Sequence, residues 1–129
     1  MPETIRLEHG IAAPMRARRW ISRQCREWGC DDVADRATVI VSELVTNVFL
    51  HAGTSCRVEA ELVGSELAVA VRDGHPEPLP PPQPDDISGR GLLIVSRLSD
   101  AWGVTDEGPE KSIWFRLATA EATTAVRTS

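Results

Sequence analysis

The stretch VSELVTNVFLHAGT, residues 41–54, sets Glu43, Asn47 and His51 four residues apart among aliphatic neighbours. At ~100° per residue on an α-helix, the three drift by only ~80° in total. Ile40, Leu44, Val48 and Val33 lie beside them on the same wheel, so the polar row runs along the border of a buried stripe. Polar groups there need a partner. A carboxylate can orient or deprotonate a hydroxyl, and an amide oxygen is a hard ligand suited to magnesium. A solvated helix edge shows the same spacing by chance, so the row alone does not decide its own role.

Outward from this stretch, DDVADRATVIVSELVTNVFLHAG reads as one long helix, with Asp31 or Asp32 as its cap and Gly53 as its terminator. Before it, APMRARRWISRQCREWG predicts a helix over 14–28, opened by Pro14 and closed by Gly29, with Ala17, Trp20, Ile21 and Trp28 as the apolar stripe. TIRLE, residues 4–8, predicts a first strand. CRVEAELVG and ELAVAVRD alternate around Gly64-Ser65, a hairpin in which Leu67, Val69 and Val71 face the core. GHPEPLPPPQPDDISG, with six prolines between residues 76 and 84, predicts an exposed loop of functional length. RGLLIVSRLSD then predicts a short helix, and AWGVTDE and KSIWFRLA a closing strand pair turning near Gly108-Pro109, before a polar tail from about Thr119. This β-α-α-β-β-loop-α-β-β order predicts one α+β domain over 1–129, a two-layer sandwich with helices on one face of a mostly antiparallel mixed sheet.

Composition narrows the class. The chain has 129 residues, is 42% hydrophobic and 26% charged, and carries a net charge of −5 with no long basic block, which argues against nucleic acid or an anionic membrane as the main partner. Cys25, Cys30 and Cys56 show neither metal-ligand spacing nor a disulfide framework. MPETIRLEHG lacks the apolar core of a signal peptide, and no apolar run approaches the ~18 residues of a membrane span. The expectation is a reducing, cytoplasmic setting.

Two further signals accompany the polar row. VAVRDG ends a strand at Asp73, a carboxylate able to accept from an exocyclic amine, with Gly74 permitting close backbone approach. Read alone, Asp-Gly is a common turn pair. SGRGLLIV puts Gly89 and Gly91 at a helix start, where bare amides and the helix dipole favour an anion. Ile94 stands where a dinucleotide fingerprint has its third glycine, and GxxxxGK[ST] does not occur.

In this order, Glu43-x-x-x-Asn47, Asp73, a variable loop and Gly89-x-Gly91-Leu92 resemble the GHKL ATP-binding superfamily with the Bergerat fold. SELVTNVFLHA and KSIWFRL look most like its anti-sigma factor serine/threonine kinase branch, over about residues 5–118. The resemblance implies ATP and Mg2+ as cofactors, with Asn47 as the metal ligand and Glu43 as the base or positioner of the nucleophile. It implies Asp73 on the adenine amine with Gly74 beside it, Gly89, Arg90, Gly91 and Leu92 at the end of a phosphate-wrapping lid over about 75–90, and Ser112 near the adenine. It further implies a kinase acting by partner switching, with a sigma factor or anti-sigma factor antagonist as partner, and a homodimer. His51 and Lys111 receive no role. The chain departs from the resemblance at Asp73-Gly74-His75-Pro76-Glu77, which does not match the usual D-x-G-x-G, and in its proline-rich lid. These departures keep a second reading open, a nucleotide-gated binding protein that sequesters a partner without phosphotransfer.

Overall fold

In the computed structural model of the chain, residues 2–52, 54–73, 87–107 and 110–119 are described, the side chains of 51–52, 87–92, 106–107 and 110 excepted. Expectations on Gly53, Gly74, the 75–86 part of the lid, the turn at 108–109 and the tail beyond 119 lie outside the described residues.

The elements follow the predicted order: β1 (Glu3–Leu7), α1 (Ala13–Glu27), α2 (Ala34–Asn47), β2 (Cys56–Val63), β3 (Glu66–Asp73), α3 (Ile87–Leu98), β4 (Ala101–Glu107) and β5 (Glu110–Ala118). The strands form one sheet in the order β1-β2-β3-β5-β4, and all four pairings are antiparallel. α1 and α2 pack on each other and, with α3, cover one face of the sheet.

α1 buries Ala13, Ala17, Trp20, Ile21, Gln24 and Cys25, the helical i, i+4, i+7 and i+8 rhythm, and leaves its arginines outside. It stops where Gly29 takes φ +70°, letting the Cys30 amide donate to the Cys25 carbonyl at 2.9 Å and the Trp28 amide to Gln24 O at 3.0 Å. This closure sets Cys25 and Cys30 side by side in the core.

The long helix differs from its expectation at both ends. Asp31 and Asp32 do not cap α2 through a side chain; they belong to a 3-10 turn over Asp31–Val33 from which the helix grows, its N-cap being Val33. The acidic pair thus meets the helix dipole without a capping bond. At the other end, α-helical geometry stops at Asn47 and a π-helical turn takes Val48–Ala52. The α2 stripe is otherwise as read, with Ala37, Ile40, Val41, Leu44 and Val45 buried.

The β2–β3 hairpin turns on Gly64-Ser65, with Gly64 at φ +59° as mirror-image hairpin turns require. Leu67, Val69 and Val71 enter the core together with Val58, Phe115 and Leu117. Burying a side chain such as Phe115 contributes ~1.5–3 kcal/mol. α3 begins three residues earlier than RGLLIVSRLSD suggested; Val95 anchors it in the core, and Arg36 of α2 donates to the Leu98 carbonyl at 3.5 Å.

Candidate functional site

The site builds from the C-terminal end of α2. Glu43 and Asn47 share one helix face at i and i+4. Glu43 is half-buried and already engaged with a partner. Asn47 is 9% exposed, and its Oδ1 is buried without any hydrogen-bond partner. An amide oxygen withdrawn from water and left unbonded costs ~1–3 kcal/mol, so its presence calls for a reason. Immediately before it, Thr46 donates to the Ser42 carbonyl at 2.7 Å, the i−4 back-bonding that bends helices. Immediately after it the π-helical turn begins, a feature frequent at functional sites. His51 falls inside that turn, where i+4 stacking no longer holds; its side chain lies outside the described residues.

The sheet supplies the second group. Asp73 closes β3 at 9% exposure, directly opposite Cys56 on β2 and Lys111 on β5. Opposed residues in an antiparallel ladder point to the same face, so Asp73, Cys56 and Lys111 all lie on the helix-bearing side. Burial, and then the negative charge of Asp73, push the Cys56 thiol up to about 11. Cys56 also lines a small cavity with Val45, Val48, Phe49, Thr54 and Leu7, which ties the end of α2 to the strand ends carrying Asp73. Asn47, between Val45 and Val48, and Asp73, beside Cys56, are thereby brought to one end of the two-layer fold.

α3 completes that end. Arg36, in the first turn of α2, meets Leu98 at the last turn of α3, which directs the α3 N-terminus along α2 toward Asn47. Gly89, Arg90, Gly91 and Leu92 occupy the first two turns of α3, inside the helix rather than ahead of it. The free amides of such a first turn are an anion-binding feature.

Ser112 is buried, at 5% exposure. It stands opposite Arg72 on β3 and Thr105 on β4, one step out of phase with Asp73, and so faces the open side of the sheet. Lys111, the only lysine in the chain, takes the place facing Asp73. KSIWFRLA carries this alternation: Ile113, Phe115 and Leu117 are the core-facing residues, and period-2 counting puts Lys111 on their face of the sheet and Ser112 on the opposite one.

The donor set fits a nucleotide with a hard cation: an unpartnered amide oxygen for the metal, a buried carboxylate for an amine, a helix N-terminus for phosphate. Among the described residues no cluster of three His, Cys, Asp or Glu side chains could hold a metal by itself, and no helix is long and apolar enough to cross a membrane.

Comparison with known proteins gives the same direction. The chain is similar over 92% of its length to the RsbU and RsbW domains of a Mycobacterium tuberculosis protein (TM-score 0.71, 20% identity), spanning 32% of that chain. It is similar over 90% of its length to the histidine kinase domain of a blue-light activated histidine kinase from Erythrobacter litoralis EL346 (TM-score 0.58, 20% identity), spanning 64% of it. It also resembles the histidine kinase AdeS of Acinetobacter baumannii over 92% of its length (TM-score 0.54, 11% identity), spanning 68% of that chain. At such identities the likeness is one of fold. No curated protein matches. The histidine kinase-like ATPase domain matches residues 11–123, nearly the whole chain, and the protein belongs to that family.

Proposed function

We propose that the chain is an ATP- and magnesium-dependent serine/threonine protein kinase that regulates a sigma factor by partner switching, phosphorylating an anti-sigma factor antagonist. Family membership supports a kinase-type enzyme that uses ATP. The observation that carries the reading to named residues is the buried, unpartnered Oδ1 of Asn47, a metal-ligand oxygen held ready at a cost to the fold. The SELVTNVFLHA and KSIWFRL phrases and the fold shared with an RsbW domain support the anti-sigma branch.

Bound ATP with magnesium would supply the γ-phosphoryl group and neutralise its charge. Asn47 would hold the metal through Oδ1. Asp73 would accept from the adenine amine, and its burial excludes the water that would compete for that bond. The amides opening α3, with Gly89, Arg90 and Gly91, would take the phosphates. Glu43, one turn before Asn47, would orient the acceptor hydroxyl and take its proton. Such transfer is chiefly positioning and charge stabilisation, which a metal ligand, a base and a row of amides can provide.

The second reading, a nucleotide-gated binder without transfer, draws on Asp73-Gly74-His75-Pro76-Glu77 and on the proline-rich lid sequence that follows it. Labelled ATP and candidate antagonists separate the two. Transfer that disappears in Glu43→Gln while magnesium-dependent ATP binding persists supports the kinase. ATP binding with partner capture and no transfer by the wild type supports the binder. Asn47→Ala and Asp73→Asn both binding ATP like the wild type would sink both.

A further inference from the structure

Away from the nucleotide end, α1 and the start of α2 form a shallow groove of about 550 Å³, lined by Arg18, Arg19, Ser22, Arg23 and Arg26 on one wall and Asp35 and Thr38 on the other. We propose that this groove is a docking surface for an acidic segment of a partner polypeptide.

The proposal begins from an uncompensated electrostatic cost. All four arginines are exposed, and among the described residues none of them takes part in an ion pair. Arg19, Arg23 and Arg26 recur at i, i+4 and i+7 on one helix face, where like charges repel. α1 contains one acid, Glu27, four residues after Arg23, against the row of arginines, and among the described residues it forms no ion pair with them. The chain as a whole is acidic, with 19 acidic against 14 basic residues, which makes this basic face a local exception. The cations are all arginine, in a chain holding a single lysine elsewhere. A guanidinium fork binds a carboxylate through two parallel hydrogen bonds, which an ammonium cannot do.

Spacing favours a polypeptide. Arg19 and Arg23 are ~6 Å apart along the axis. That matches carboxylates at i and i+4 of a docked helix, or alternate residues, ~7 Å apart, of an extended segment. Asp35 sharpens the choice. A phosphate chain offers no donors and would meet that carboxylate as repulsion, whereas a polypeptide brings backbone N–H groups that can donate to it. Thr38 already donates to the Asp35 carbonyl at 2.8 Å, so its hydroxyl also offers only lone pairs to a ligand. The overall negative charge further disfavours a nucleic acid. The proposal does not depend on phosphotransfer, since a kinase and a pure binder both need a face for their partner.

The test is fluorescence anisotropy with a labelled peptide of alternating glutamate and alanine, alongside duplex DNA and inorganic phosphate. The wild type should bind the glutamate peptide and lose at least tenfold in affinity between about 50 and about 200 mM salt. Arg19→Glu with Arg23→Glu should weaken binding tenfold or more, and Arg26→Gln alone by a few-fold. A control carrying the same charge change elsewhere, Arg6→Glu with Arg97→Glu, should stay within twofold of the wild type. Equal losses in both double variants would overturn the proposal, because overall charge would then explain the binding. Tighter binding of DNA than of peptide, or displacement of the peptide by millimolar phosphate, would also overturn it.

Discussion

Lys111 stands directly across the β3–β5 ladder from Asp73, on the face that carries the helices. A cross-strand pair of this kind has side chains within reach of one another and of anything bound between them. If Asp73 takes the adenine amine, Lys111 borders the same ligand, and Ser112 does not. Lys111→Glu should therefore weaken magnesium-dependent ATP binding tenfold or more by calorimetry, while Ser112→Ala stays within twofold. Because the chain has one lysine, a lysine-selective acylating reagent offers a direct readout: ATP with magnesium should slow modification at residue 111. The opposite ranking of the two variants would mean that the strand register does not govern which residue meets the base.

Asn47 makes a prediction that separates function from stability. Its Oδ1 has no partner, so an apolar side chain of similar size removes a desolvated acceptor without leaving a large void. Asn47→Leu should keep the thermal midpoint of the wild type or raise it. The same variant should abolish the upward shift that ATP with magnesium gives the wild type, a shift that follows from ligand binding to the native state alone. A midpoint well below the wild type would show that Asn47 is a structural residue.

How far the fold could be read ahead depends on the element. Helices with a clean apolar period and a glycine stop, such as α1 with Gly29, were legible because local rules and packing agree there. The interruption after Asn47 was not. Val48 continues the apolar stripe, and nothing in VFLHA marks the point at which α-helical bonding gives way to a π-helical turn. That change arises where α2 meets the strand ends around Cys56 and Leu7, which is tertiary information. The missing Asp31 cap has a similar origin, since the chain enters α2 through a 3-10 turn that already buries Val33. At the site, residue type alone left Glu43, Asn47 and Asp73 undecided and only their order along the chain, through the family resemblance, singled them out, whereas the placing of Lys111 opposite Asp73 needed the alternation of β5 to be followed back to its first residues.

The buried thiols set an alkaline limit. Cys25 is pushed up to about 12, by burial first and then by the adjacent Cys30, and Cys56 to about 11 by burial and then Asp73, from an ordinary 9.0. Both fold with their protons held more tightly than in the unfolded chain. Their contribution to stability is complete below pH 9 and is lost as pH rises through about 11 to 12. With no tyrosine and one lysine in the chain, few other side chains titrate in that window. Urea midpoints should hold steady up to pH 9 and then fall, and the fall should be shallower in Cys25→Ala and in Cys56→Ala. An unchanged slope in both variants would assign the alkaline loss to other groups.

Gly103 is required by the ring that lies across it. A Cβ at this position would sit 2.6 Å from Trp114 Cζ2 and 2.7 Å from Cε2, on the open face of the sheet where the two residues are paired. The Arg116 guanidinium lies 5.5 Å from the centre of the same ring. A methyl group would force the indole to swing away, at ~1–2 kcal/mol. Gly103→Ala should thus lower the thermal midpoint by about 3–6 °C. The loss should largely vanish in a Trp114→Leu background, giving a coupling of at least ~0.5 kcal/mol between the two sites. Because Trp114 and Gly103 face away from Asp73 and Lys111, the glycine variant should bind ATP within twofold of the wild type. A binding defect as large as that of Lys111→Glu would show that the open face of the sheet, too, shapes the nucleotide site.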